Sequence, residues 1–105
     1  MNDKAIFAAI KSAVLSFLPD AKVLLFGSRA RADFNEHSDY DILIITHQTF
    51  TPKEKINMES KISRSLVFLL HAPFDVILYS QDEFEQRKHA KGFILYHALK
   101  DTVEL

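Results

Sequence analysis

The spacing of apolar residues changes several times along the chain, and each change predicts an element. Over residues 3–18, Ile6, Phe7, Ile10, Val14, Phe17 and Leu18 recur at helical intervals, which places them on one face of a helix. Asn2 or Asp3 supplies a cap, and Pro19-Asp20 ends the helix. Lys22–Phe26 (KVLLF) is a short buried-type strand closed by Gly27. A short helix is predicted over 29–33 and a loop over 34–38. Asp39–Thr46 (DYDILIIT) is the second strand. Beyond Asp41 it is apolar on both faces and rich in β-branched residues, the pattern of a strand central in its sheet. Thr51-Pro52-Lys53-Glu54 is a capping box with proline at the first helical position. The helix it opens runs to about Leu70, with Ile56, Met58, Ile62, Leu66, Leu69 and Leu70 available for its inner face, and His71-Ala72-Pro73 ends it. Phe74–Tyr79 (FDVILY) is the third strand, and Ser80-Gln81-Asp82-Glu83 is a second capping box. Gly92 interrupts the helix that follows, Phe93–Leu99 resumes it, and the closing TVEL at 102–105 reads as an edge strand. Helices alternating with strands predict an α/β fold, a small sheet with helices packed on it.

Composition narrows the class. A chain of 105 residues is sized for a single domain, 1–105. With 48% hydrophobic residues it has enough apolar side chains for a core. A net charge of −1 excludes a strongly basic protein that coats nucleic acid. The absence of cysteine excludes disulfides, zinc-thiolate and iron–sulfur sites. Apolar runs such as Ile42–Ile45 and Leu66–Leu70 fall far short of the roughly 20 residues of a membrane span. No basic segment followed by an apolar stretch opens the chain, so the expected location is cytoplasmic.

Candidate chemistry begins with Asp39 and Asp41. Residues two apart on a strand point to the same side, their Cβ atoms roughly 7 Å apart. Like charges so placed repel unless something compensates, and a divalent ion does. A third acid, Asp75, opens the next strand, and if the two strands are neighbours all three acids meet at one end of the sheet. Oxygen-only ligation suits Mg²⁺ or Mn²⁺. Two such ions about 3.5–4 Å apart stabilise the attacking and leaving oxygens of an in-line phosphoryl displacement. An isolated D-x-D is more often the solvated start of a strand. Gly27-Ser28 changes that balance. One of the chain's 2 glycines sits directly after a buried strand and ahead of a predicted helix. Glycine permits positive φ and close backbone approach, and N–H groups exposed at a turn into a helix make an anion site.

With those residues in place, the chain resembles the minimal nucleotidyltransferase family of the DNA polymerase β-like superfamily. Gly27-Ser28, 10 intervening residues and Asp39-Tyr40-Asp41 match that family's G-S-x10-D-x-D signature. Asp75 falls where its third acid is expected. The run GSRARADFNEHSDYDILI is similar throughout, including Arg29, Arg31 and Ser38, and departs at Ala32, where the family usually has glycine. The resemblance implies a polymerase β-like palm, a mixed three- to four-stranded sheet with helices packed on it. It implies Asp39, Asp41 and Asp75 as catalytic, metal-binding residues for two Mg²⁺ ions. Gly27 and Ser28 would hold the β- and γ-phosphates of ATP or another NTP, and Arg31 would neutralise phosphate charge. The implied reaction moves a nucleoside monophosphate, AMP from ATP, to a hydroxyl. The implied setting is an antitoxin that adenylylates a helical HEPN-type toxin. Size agrees with an acceptor carried by another macromolecule, because the core uses nearly the whole chain.

Two other readings stay open: a binding module that neutralises a partner by contact with little or no turnover, and one subunit of a two-component small-molecule nucleotidyltransferase. No zinc site is expected from the 5 histidines. Arg87-Lys88-His89-Ala90-Lys91 reads as a solvated helix face rather than a nucleic-acid contact. Phe7, Phe17, Phe26, Phe68 and Phe74 read as core. Phe93, Tyr96 and Leu99 serve equally as core or as a homo-oligomer patch.

Overall fold

The computed structural model describes residues 3–27, 29, 39–87 and 102–105. Its elements are α1 (Asp3–Phe17), β1 (Lys22–Phe26), β2 (Tyr40–Thr46), α2 (Pro52–Leu70), β3 (Phe74–Ser80), α3 (Gln81–Arg87) and β4 (Val103–Glu104). The helix expected at 29–33, apart from Arg29, and the segment around Gly92 and 93–99 lie outside the described residues.

The sheet order is β3-β2-β1-β4. β1 pairs antiparallel with β2 and with β4, whereas β2 and β3 run parallel. A mixed sheet of four strands with helices against it is the fold expected from the sequence. β2 lies inside the sheet, and Ile42–Ile45 are all buried, as an apolar run on both faces requires.

Alternation along β2 divides the core. Tyr40, Ile42 and Ile44 join Val23, Leu25, Phe74 and Leu78 on the face covered by α1 and α2, which bury Ile10, Val14, Ile62 and Leu66. Leu43 and Ile45 join Leu24, Phe26 and Tyr79 on the other face, against Phe84 of α3.

Local chemistry sets the element ends. Glu54 N–H donates to Thr51 Oγ1 at 3.2 Å, and Thr51 N–H donates to Glu54 Oε1 at 2.9 Å. This is the capping box read from the sequence, and the Thr51 contacts hold the Glu54 carboxyl below its usual range. At the other end of α2, His71 adopts φ 53 and donates its N–H to the Val67 carbonyl. The second box is also formed: Glu83 N–H donates to Ser80 Oγ at 3.2 Å and Ser80 N–H to Glu83 Oε1 at 3.1 Å.

β3 is an edge strand among the described residues, and α2 seals part of its free edge. Leu78 N–H donates to Glu59 Oε2 at 2.8 Å, and the Ser63 hydroxyl donates to the Phe74 carbonyl at 3.3 Å. Unpaired edge groups invite pairing with other chains, and these two side chains occupy them.

Several apolar residues expected inside lie outside. Phe68 is 78% exposed, and Ile56 and Leu69 are also solvent-facing. Ile62 and Leu66 alone carry the fully buried stripe of α2. Phe68 lies roughly 120° around the helix from Ile62, which turns it away from the sheet. Ile56 and Leu69 lie near the two ends of the helix, beyond the deepest part of the core. Phe17, at the last turn of α1, is half out of the core as well.

Candidate active site

The topology gathers one end of three strands. Antiparallel pairing makes β1 finish where β2 starts, and parallel pairing makes β3 start there too. In register, Phe26 lies opposite Asp41, and Asp41 lies opposite Asp75. The two acids therefore occupy adjacent places in one row and, by the period of two, the same face of the sheet. Neighbouring strands are spaced about 4.8 Å apart. Asp39 directly precedes β2. Asp39 and Asp75 are exposed, and Asp41 is half-buried. A backbone bond from Tyr40 N–H to the Pro73 carbonyl, 3.0 Å, fastens the start of β2 to the residues ahead of β3.

Gly27 lies against this row, at its Asp41 member. It follows Phe26 and takes φ 77, a conformation that only glycine adopts without cost. A Cβ at this position would be driven into Asp41 Oδ2 and would lie 3.2 Å from Asp41 Cγ. The space that glycine leaves is thus filled by the Asp41 carboxylate. Sequence reasoning marked this glycine for close approach of its backbone to a phosphate. The structure adds a nearer neighbour, the acid itself, which no spacing rule could have disclosed.

The opposite face carries a stack. The Tyr40 and Phe74 rings, paired in register, lie 4.9 Å apart at 16°. The Arg29 guanidinium sits 4.2 Å from the Tyr40 centroid on that side. None of these three was singled out as a site residue from the sequence, although each is a chain neighbour of one. Ser28 and Arg31 lie outside the described residues.

The donor set suits a hard divalent cation, because its side-chain donors are carboxylate oxygens. Among the described residues, no three His, Cys, Asp or Glu side chains are gathered into one ion-holding group. The backbone brings Asp39, Asp41 and Asp75 to one end of the sheet, with Asp41 and Asp75 as the adjacent pair. Beside Asp75, between α2 and β3, runs an open groove of about 300 Å³ lined in part by Ile56, Ser63, Arg64 and Val76. A larger hollow of about 590 Å³, bordered by Lys22, Thr46, His47 and Glu104, lies at the opposite end of β1 and β2. Size alone would have pointed away from the acids. Among the described residues, no helix is long and apolar enough to cross a membrane.

Comparison with known proteins places the chain in a family and a fold. The family model described as "Polymerase beta, Nucleotidyltransferase" matches residues 19–101. A curated relative from Methanocaldococcus jannaschii, named "Putative protein adenylyltransferase MJ0141", is 53% identical over 34 residues. That stretch covers 32% of this chain and 34% of the relative, so only about a third of the relative's length is spanned. Among solved structures, a chain of a toxin–antitoxin structure with AMP-PNP superposes with TM-score 0.69 at 15% identity, over 93% of this chain and 70% of that one. A chain of the complex between a tri-AMPylated Shewanella oneidensis HEPN toxin and an MNT antitoxin gives TM-score 0.65 at 14% identity, over 96% and 69%. At such identities the likeness is one of fold.

Proposed function

The chain belongs to the polymerase beta nucleotidyltransferase family, and from that premise we propose that it transfers AMP from ATP to a hydroxyl on a partner protein. The observation that carries the proposal is the Asp41–Asp75 pair with Gly27 set against Asp41, at the end of the sheet where Asp39 also lies. It puts carboxylate donors and a close-approach glycine turn side by side, as a metal–triphosphate site requires.

In this reading Asp39, Asp41 and Asp75 would hold two divalent ions, Mg²⁺ by the hardness of their donors. When bound, such ions supply neutralisation of phosphate charge and stabilise the entering and leaving oxygens. Gly27 lets the backbone approach the β- and γ-phosphates, with Ser28 and Arg31 assigned to the same task from the sequence. The acceptor oxygen attacks the α-phosphorus. The α–β bridging P–O bond breaks, and pyrophosphate departs with that oxygen and its electron pair. Asp75, exposed at the groove, receives the acceptor's proton. An open groove suits a hydroxyl offered by another chain better than a small molecule, which needs a pocket covering most of its surface.

AMP as the transferred group is supported by the name of the archaeal relative and by the AMPylated toxin in the Shewanella complex. The same complex supports a HEPN-type partner. A contact-only antitoxin is the second reading, favoured by the exposed Val67, Phe68 and Leu69 at the end of α2.

The deciding experiment incubates the chain with ATP, Mg²⁺ and a HEPN-type toxin that it neutralises in cells, and reads the partner's intact mass. The expected result is a gain of AMP that disappears in the Asp39→Ala, Asp41→Ala double variant. A double variant that still protects cells, with a partner whose mass never changes, would establish the contact-only reading.

A further inference from the structure

Resting on that reading of the site, we infer that Arg29, Tyr40 and Phe74 form a clamp that positions the glycine turn and the two strand-borne acids against each other. All three are positioning residues rather than catalytic ones.

The argument starts from adjacency. Arg29 is two residues beyond Gly27, Tyr40 lies between Asp39 and Asp41, and Phe74 directly precedes Asp75. On a strand, neighbours in sequence point to opposite faces. A contact made by Tyr40 or Phe74 therefore acts on the acids from behind, without entering the site. The two rings are parallel within 16° at 4.9 Å, and both are buried. Their stacking couples the starts of β2 and β3 at the level of Asp41 and Asp75.

Arg29 extends the coupling to the glycine turn. Its guanidinium lies 4.2 Å from the Tyr40 centroid, on the face away from Asp41. Gly27, two residues earlier, lies against the Asp41 carboxylate on the site face. Gly27 thus lies on one side of the start of β2 and the Arg29 guanidinium on the other. Slippage of the turn along β2 would break the arginine–ring contact and move Gly27 off Asp41 together. A cation over an aromatic face within about 6 Å is attracted to it, more so where partly desolvated. Arg29 is half-buried.

A merely structural stack and a positioning stack differ in how they couple to Asp41. The test is a double-mutant cycle on the full chain, reading the affinity for AMP-PNP with Mg²⁺ by calorimetry and the Tm by scanning calorimetry. Arg29→Met removes the cation and keeps the apolar stem. It is expected to weaken AMP-PNP binding about tenfold, and less than about twofold in an Asp41→Asn background, because residues acting through one another are non-additive. Tyr40→Leu should behave as Arg29→Met does, whereas Tyr40→Phe, which keeps a stacking ring, should stay within about twofold of wild type. Equal weakening by Arg29→Met in both backgrounds, or none in either, overturns the clamp. Asp41→Asn that leaves AMP-PNP affinity unchanged removes the reading of the site, and the clamp with it. Asp41→Asn that weakens binding while Arg29→Met and Tyr40→Leu do nothing removes the clamp alone.

Discussion

Substituting Gly27 by alanine separates two effects that usually travel together. The first is backbone strain. At φ 77 a residue with a Cβ costs about 1–2 kcal/mol relative to glycine. For a chain of this size that corresponds to a fall in Tm of roughly 5–15 °C. Strain alone would leave the site's geometry, and hence the rate per folded molecule, as it was. The second effect is displacement. The new Cβ would overlap Asp41 Oδ2 and press on Asp41 Cγ at 3.2 Å. Such an overlap cannot stand without movement, so the carboxylate must turn away or the ends of β1 and β2 must part. A misplacement of about 1 Å at a reacting centre can cost about 100-fold in rate.

Gly27→Ala should therefore lose about 100-fold in kcat for AMP transfer, measured well below its lowered Tm, where it is fully folded. The assay pairs calorimetric unfolding with transfer of labelled AMP from ATP under saturating Mg²⁺. A variant with lowered Tm and a kcat within twofold of wild type would refute the reasoning. The glycine would then be needed only for its backbone angle, and the contact with Asp41 would be incidental.

The remaining predictions concern the frame around the site. Glu59→Ala strips the acceptor from the buried Leu78 N–H and should destabilise by about 1–3 kcal/mol; Glu59→Gln, which keeps a side-chain oxygen, should recover most of it, and an unchanged Tm in the alanine variant would show the edge is sealed by other means. Burial raises the Glu83 carboxyl, but the Ser80 N–H, Lys55 and the Ser80 hydroxyl together outweigh it and leave the value lowered from 4.5. Because the folded value is the lower one, the stability is present above pH 4.5 and lost as pH falls through the depressed folded value; Glu83→Gln should flatten the acid side of a stability–pH curve, and an unaltered curve would remove Glu83 as a contributor. Phe68→Ser, at a position 78% exposed, should change stability by no more than about 0.5 kcal/mol, and a large loss by chemical denaturation would place the ring in a packed interface.

What could be read beforehand follows how local the physics is. Both capping boxes were legible because each is a bond between residues three apart, and the structure contains both. β2 was legible because burial on two faces needs an apolar run at every position, and Ile42–Ile45 is one. The TVEL segment read as an edge strand pairs with β1, Leu25 opposite Val103. Phe68 was misread because helical spacing shows which residues share a face, but not how wide a stripe the sheet covers. Gly27 was marked by its place after a strand, yet its contact with Asp41 depends on the β1–β2 register, a long-range quantity. The Arg29–Tyr40–Phe74 stack was hidden for the same reason: its members are separated by 11 and 34 positions in the sequence and meet only once β2 has paired with both β1 and β3.

Two carboxylates held side by side raise the question of what keeps β2 and β3 together at the site. At about 5 Å, two unit charges repel by roughly 1–3 kcal/mol for effective dielectric values between water and a protein surface. Against this stand Ile42, Leu43, Ile44 and Ile45, all buried, each contributing about 1.5–3 kcal/mol. A one-residue slip that separated Asp41 from Asp75 would turn each of these side chains to the other face and forfeit the packing of both core clusters. The packing term exceeds the repulsion severalfold, so the register is held by the core and needs no cation to fix it. Chelation of divalent ions should accordingly abolish AMP transfer while shifting Tm by only a few degrees. A collapse of Tm on adding EDTA, reversed by Mg²⁺, would mean that repulsion between the acids had been underestimated and that the ion is part of the fold.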